Sequence, residues 1–404
     1  MDSSQSSCEG VGSVEDSIRA GAEAYESGHY VEAGKSLLAA SQAANRLDDK
    51  TLAALSLLLL ARVQRVQGQY EEARSALKAA LELRTSLFGE NSRETAEVLD
   101  ELGCLDFDSG SFEESEGHLS RALEIRKSVS PQNELDLSDS YSHLGMLLIQ
   151  LERLAEAESM LSKSLGIRKR LLPMRHPKIS ESLSCLAELQ LNKGNVVLSL
   201  PLAEESSHNF ESKLGKEHPR TAQAVYSQAV LYQQVGKFKE AAKLFKSAIE
   251  IQEQRLPQGH RRTISSINEY AATCLKLGEA EQAKLEYQKA LELCHKNEAV
   301  GDEHSLTALI GLGVSNLEQH QYKQAEEHIK LALSMLDRVR KNVVFLERSL
   351  LYNLLHSLIW QGKFGDAIRL VPDTVRARQT AQVTEMAEML KKLYELASTQ
   401  ESKK

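Results

Sequence analysis

Apolar positions along the chain follow a helical spacing, and that spacing is punctuated at a fixed interval. A small or polar turn residue is followed two places later by a large one and five places later by Ala or Ser. The turn residues are Gly28, Gly68, Gly110, Glu152, Gly194, Gly236, Gly278, His320 and Gly362. The first interval is 40 residues and the next seven are 42. Seven places before each turn stand Gly21, Ala61, Gly103, Gly145, Ala187, Ala229, Ala271, Gly313 and Leu355. Twelve places after it stand Ala40, Ala80, Ala122, Ser164, Ser206, Ala248, Ala290, Ala332 and Thr374. Small side chains on both sides of a tight turn let two antiparallel helices approach closely, at about 8 Å. A repeat of this length means stacked helical hairpins sharing a continuous core. The pattern therefore predicts an all-α, superhelical α-solenoid of about nine hairpins.

The connectors between hairpins agree with that reading. Leu214-Gly215-Lys216-Glu217-His218-Pro219, Arg175-His176-Pro177 and Phe88-Gly89-Glu90 place Gly after one helix and Pro at the start of the next, where helix termini favour them. The three small-residue columns resemble those of the tetratricopeptide repeat. The 42-residue period, the G-x-x-H-P connector and endings such as Ala122-Leu123-Glu124-Ile125-Arg126 are similar to the kinesin light chain subclass of that repeat. The likeness runs from about residue 14 to 381, without the light chain's coiled coil. Residues 1–13 and 399–404 are polar and expected to be disordered. Residues 382–398 carry Val383, Met386, Met389, Leu390, Leu393, Tyr394 and Ala397 at helical spacing, which predicts a closing helix over the last hairpin.

Composition adds limits. The net charge of −8 argues against nucleic acid, which calls for a basic stripe. Five scattered cysteines without a C-x-x-C pair fit free thiols in a reducing compartment. The longest apolar run is too short to span a bilayer, and the N-terminus has no secretory pattern. A cytoplasmic location without membrane insertion is expected. The motifs of nucleotide binding, metalloprotease or nucleophile-elbow chemistry are absent, and the adjacent Cys294 and His295 point in different directions on a helix. No enzyme activity, cofactor or metal is expected.

The resemblance implies that the first helix of each hairpin lines a concave groove. Its positions there carry Glu15, Glu26, Glu97, Asp100, Glu101, Asp108, Asp139, Glu181, Glu188, Glu269 and Glu318, against Arg19, Arg62, Arg65 and Lys276. An acidic groove would steer a basic ligand. Asn268 and Asn353 stand where a light chain places backbone-clamping amides. Tyr352 and Trp360 belong to an apolar cluster with Ile310, Val314, Leu317 and Ile359, and Leu55, Leu58 and Leu59 form a second. The expected peptide-binding set is Glu97, Asp100, Glu101, Asp108, Asp139, Glu181, Glu188, Asn268, Glu269, Tyr352, Asn353 and Trp360. The reading is a non-catalytic adaptor that binds a linear, basic segment of another protein. The alternative is a structural subunit that binds through its convex face or edges.

Overall fold

The computed structural model describes residues 2–129, 133–297, 302–339, 344–363, 365–367 and 369–370. Helices pair in chain order. The first six hairpins are α1 (Asp2–Glu26) with α2 (Tyr30–Arg46), α3 (Lys50–Val66) with α4 (Tyr70–Phe88), α5 (Arg93–Ser109) with α6 (Phe112–Val129), α7 (Glu134–Gln150) with α8 (Leu154–Leu171), α9 (Pro177–Asn192) with α10 (Val196–Leu214), and α11 (Pro219–Gln234) with α12 (Phe238–Arg255). Then come α13 (Arg261–Lys276) with α14 (Ala280–Lys296), α15 (Asp302–Glu318) with α16 (Tyr322–Val339), and α17 (Val344–Trp360), which opens the ninth hairpin. No strand occurs among the described residues. The predicted closing helix and tail lie outside them.

The small columns make the hairpins. All nine residues of the column after the turn, from Ala33 to Ala367, are buried. A Cβ on Gly103 would lie 2.5 Å from Leu119 Cγ, and one on Gly145 would lie 2.6 Å from Leu161 Cγ. Glycine there is a requirement of close approach. Where the columns carry Ser, the hydroxyl has a use: Ser115 Oγ, five places after its turn, donates to the Gly103 carbonyl at 2.8 Å, and Ser164 Oγ, twelve places after its own, to the Ser138 carbonyl at 2.8 Å. The turn residues take left-handed backbone, including Glu152 (φ 58°) and His320 (φ 59°) where Gly is missing.

The first helix begins at Asp2. Extending a helix already nucleated is far easier than starting one. By its contacts the chain divides into two compact units, Met1–His260 and Arg261–Lys404.

In the first unit α1 touches α3, α3 touches α5, α5 touches α7, α7 touches α9 and α9 touches α11. Successive second helices do not pack on one another to that extent. The first helices therefore sit on the inner side of the curve. In the second unit α13 touches α15 and α15 touches α17.

Candidate binding face

The inner face of the first unit carries most of the expected acidic residues, and the fold gives them partners. On α3, Arg62 donates through Nε to Glu101 at 2.7 Å and through Nη2 to Glu97 at 2.9 Å. Arg65 donates to Asp108 at 2.6 Å. Further cations arrive from second helices. Arg84 on α4 reaches Glu97 at 2.7 Å, Arg126 on α6 reaches Asp100 at 3.3 Å, and Arg168 on α8 reaches Asp139 at 2.7 Å. Lys178 also holds Asp139 at 2.7 Å, and Arg220 holds Glu181 at 3.1 Å.

Three of these arginines form a recurring staple. Arg84, Arg126 and Arg168 lie 42 residues apart, and each donates to the carbonyl of the residue ten places later: Glu94, Asp136 and Lys178, at 2.8, 3.1 and 2.7 Å. Each thus ties the end of one hairpin to the first turn of the next. Arg126 and Arg168 also donate to the hydroxyls of Ser140 (2.6 Å) and Ser182 (2.9 Å). A guanidinium is suited to this because its fork of donors serves carbonyl, hydroxyl and carboxylate together. Counting only first-helix residues missed them. Their signal was an arginine column 16 residues after the turns at Gly68, Gly110 and Glu152.

The single-signed groove is therefore corrected. Asp100 and Glu101 are buried, and Glu97, Asp108, Asp139 and Glu181 belong to ion pairs between neighbouring hairpins. Asp100 also accepts from His143 at 3.0 Å. Although burial opposes it, His143 and then Arg126 hold the Asp100 carboxyl well below its usual range. Cys104 hydrogen-bonds to the same His143, which brings a thiol, an imidazole and a carboxylate together. Burial pushes the Cys104 thiol up. Against its own burial, Cys104 and Asp100 hold His143 well above its ordinary value.

Glu188 on α9 stands apart. It is exposed to solvent, and its carboxylate accepts from Gln150 Nε2 at 3.1 Å. Desolvation by the surrounding protein raises its pKa, with no contribution from a neighbouring cation. Solvent-exposed yet enclosed by protein is the condition of a group facing into a concavity.

In the second unit, Asn268 is buried and donates to the His304 carbonyl at 3.2 Å. It ties α13 to α15, and the expected backbone clamp is withdrawn for this residue. Glu269 and Asn353 are half-buried, whereas Tyr352 is exposed. Trp360 is 62% exposed and stacks on Tyr322 with ring centroids 5.9 Å apart and planes at 10°. His356 meets both rings edge-on. Of the leucine cluster, Leu58 is fully buried and Leu55 and Leu59 pack against Val14 and Ile18. That cluster is core.

These hairpins define a helical-repeat solenoid with a polar inner face. The chain belongs to the tetratricopeptide repeat family: residues 52–128, 178–254 and 262–338 match one form of the repeat, and 137–178 another. Among solved structures, the chain is similar to a Rap protein complexed with Competence and Sporulation Factor, at 13% identity and TM-score 0.58, covering 92% of this chain and 98% of that one. It is also similar to a signal transduction ATPase with a tetratricopeptide repeat sensor from Pyrococcus horikoshii, at 15% identity and TM-score 0.61, covering 91% of this chain and 55% of that one. A putative kinesin light chain from Podosopora anserina is 21% identical over 52% of this chain and 100% of its own length, with TM-score 0.45. A search of curated proteins finds no match. No helix among the described residues is long and apolar enough to cross a membrane.

Proposed function

We propose that the chain is a non-catalytic adaptor that holds a linear segment of another protein against the first helices of its first unit. The observation that carries this reading is Glu188, a carboxylate enclosed by protein and held by Gln150 but by no cation, on an inner face where Glu97, Asp100, Glu101, Asp108, Asp139 and Glu181 are paired. A charge left open in a concavity is a recognition group, because the enclosed setting weakens screening and strengthens its attraction for a cation. The segment carries Lys or Arg opposite Glu188. The paired acids nearby offer polar edges but no net field. The Rap protein, which shares the fold, was solved with Competence and Sporulation Factor, and the same use of a repeat solenoid is inferred here.

A peptide display selection on the whole chain tests this. Peptides with one fixed basic position should be enriched, should bind more weakly as salt rises, and should be lost on Glu188→Lys. A selection that returns no consensus, or a consensus unaffected by Glu188→Lys, refutes it.

A further inference from the structure

His218 stands immediately before α11 and makes two hydrogen bonds. Its Nδ1 accepts the Arg220 backbone N–H at 3.0 Å, and its Nε2 lies 3.0 Å from the carbonyl oxygen of Glu26, the last residue of α1. The first bond fixes the second. With Nδ1 accepting, the proton of the neutral ring is on Nε2 and is donated to the carbonyl. His260 repeats the contact one hairpin further on, its Nε2 lying 2.9 Å from the carbonyl of Val66, the last residue of α3. Both acceptors are carbonyls at a helix C-terminus, which lack a partner within their own helix. Residues about 190 positions apart in sequence are thereby joined, and the six hairpins of the first unit close on themselves.

The other contacts described between the two ends are also at turns and connectors. A Cβ on Gly28 would lie 2.5 Å from Pro219 Cδ, so the turn of the first hairpin sits directly on the start of α11. Leu256, just after α12, enters a core cluster with Tyr30, Leu37, Leu60 and Val63. The helices of the first two hairpins do not pack along α11 or α12 as neighbouring hairpins pack on each other. Turns and connectors carry the closure. His176 gives the contrast: it caps α9 in the same way, with Nδ1 accepting the Lys178 N–H at 3.2 Å, and it reaches no distant carbonyl.

We propose that the first unit is a clasped ring, held shut by His218 and His260 against the ends of α1 and α3, and that release of this clasp is the motion that opens its inner face. Among the described residues the joint includes these two hydrogen bonds, an inserted leucine and a close turn, all at turns and connectors, while each hairpin interface runs the length of its helices. Opening therefore separates the ends without unfolding a hairpin. The inference concerns the ring itself and holds whether or not Glu188 selects a ligand.

The experiment uses the full chain, with Cys8 and Cys104 replaced by serine and spin labels at Ser27→Cys and Glu217→Cys, two exposed positions on either side of the joint. At pH 8 a single short distance is expected. His218→Ala/His260→Ala should abolish that peak in favour of a longer, broader distribution, and His176→Ala should leave it. Gly28→Ala should also abolish it, whereas Gly194→Ala should not. Gly28 and Gly194 have the same left-handed backbone (φ 76° and 77°), but a Cβ on Gly194 meets nothing within 4 Å. An unchanged distance in both the double histidine variant and Gly28→Ala overturns the proposal, and so does equal broadening in His176→Ala. If the double variant loses its helical circular dichroism, the glycine pair decides alone.

Discussion

Arg168 gives the most direct test of what joins the hairpins. It is 1% exposed, and it donates to the Lys178 carbonyl at 2.7 Å, the Ser182 hydroxyl at 2.9 Å and the Asp139 carboxylate at 2.7 Å. Arg168→Met keeps the length and apolar volume of the stem and removes every donor. Removing one partner of a buried ion pair costs about 3–5 kcal/mol, since the remaining charge is left uncompensated. Here the remainder is softened, because Lys178 still holds Asp139 at 2.7 Å. In fact Lys178, ahead of Arg168, is the larger influence that lowers the Asp139 pKa against its burial. The Lys178 carbonyl loses the guanidinium but still accepts from the Ser182 hydroxyl at 3.3 Å, so it adds little to the cost. The expected loss is about 3 kcal/mol in equilibrium urea unfolding. Since neighbours couple in a repeat array, native-state hydrogen exchange should rise first in α8 and α9. By contrast, Arg153→Met removes only exposed pairs with Glu116 and Glu156 and should leave the melting curve unchanged. A loss below about 1 kcal/mol for Arg168→Met, or exchange rising evenly over all hairpins, would refute the staple.

Two more expectations follow from the geometry. Ala241 and Ala248 are both 0% exposed, so replacing either by Leu overpacks the α11–α12 seam and should cost about 1–3 kcal/mol in thermal or urea unfolding; an unchanged midpoint counts against the register of the columns. Acid should loosen the clasp. Burial lowers the His218 pKa, and Arg220 and Arg255 add to the effect while Glu26 opposes it, through its carbonyl bond and its charge. A depressed folded value gives a contribution that is complete above the unfolded pKa of about 6.5 and is lost as pH falls through the folded value. The short Ser27–Glu217 label distance should accordingly weaken as pH falls below about 6.5 and return on neutralisation, and a distance constant from pH 8 to 5 would rule out His218 as the titrating group.

The hairpins themselves were legible in the sequence because their cause is local. A small residue before and after each turn, a left-handed turn and a large residue two places on recur within one repeat, and they place Ala33 to Ala367 in the seams. The binding face was legible only in part. Asp100, Glu101 and Asp139 stood at the expected inner positions, but their charge is set by arginines from second helices and by Lys178 and Arg220 of neighbouring hairpins. A count along one helix face cannot include cations that cross from another helix. Asn268 fails as a clamp for a similar reason, since packing of α13 on α15 brings the His304 carbonyl within its reach. The closure of the first unit lay furthest from the sequence. His176, His218 and His260 look alike as residues that begin a helix. Only the curvature accumulated over several hairpins brings Glu26 to His218 and Val66 to His260 while leaving His176 on its own. Small rotations between stacked units add up over long separations, so local pattern determined the unit of this protein and tertiary stacking decided which units meet.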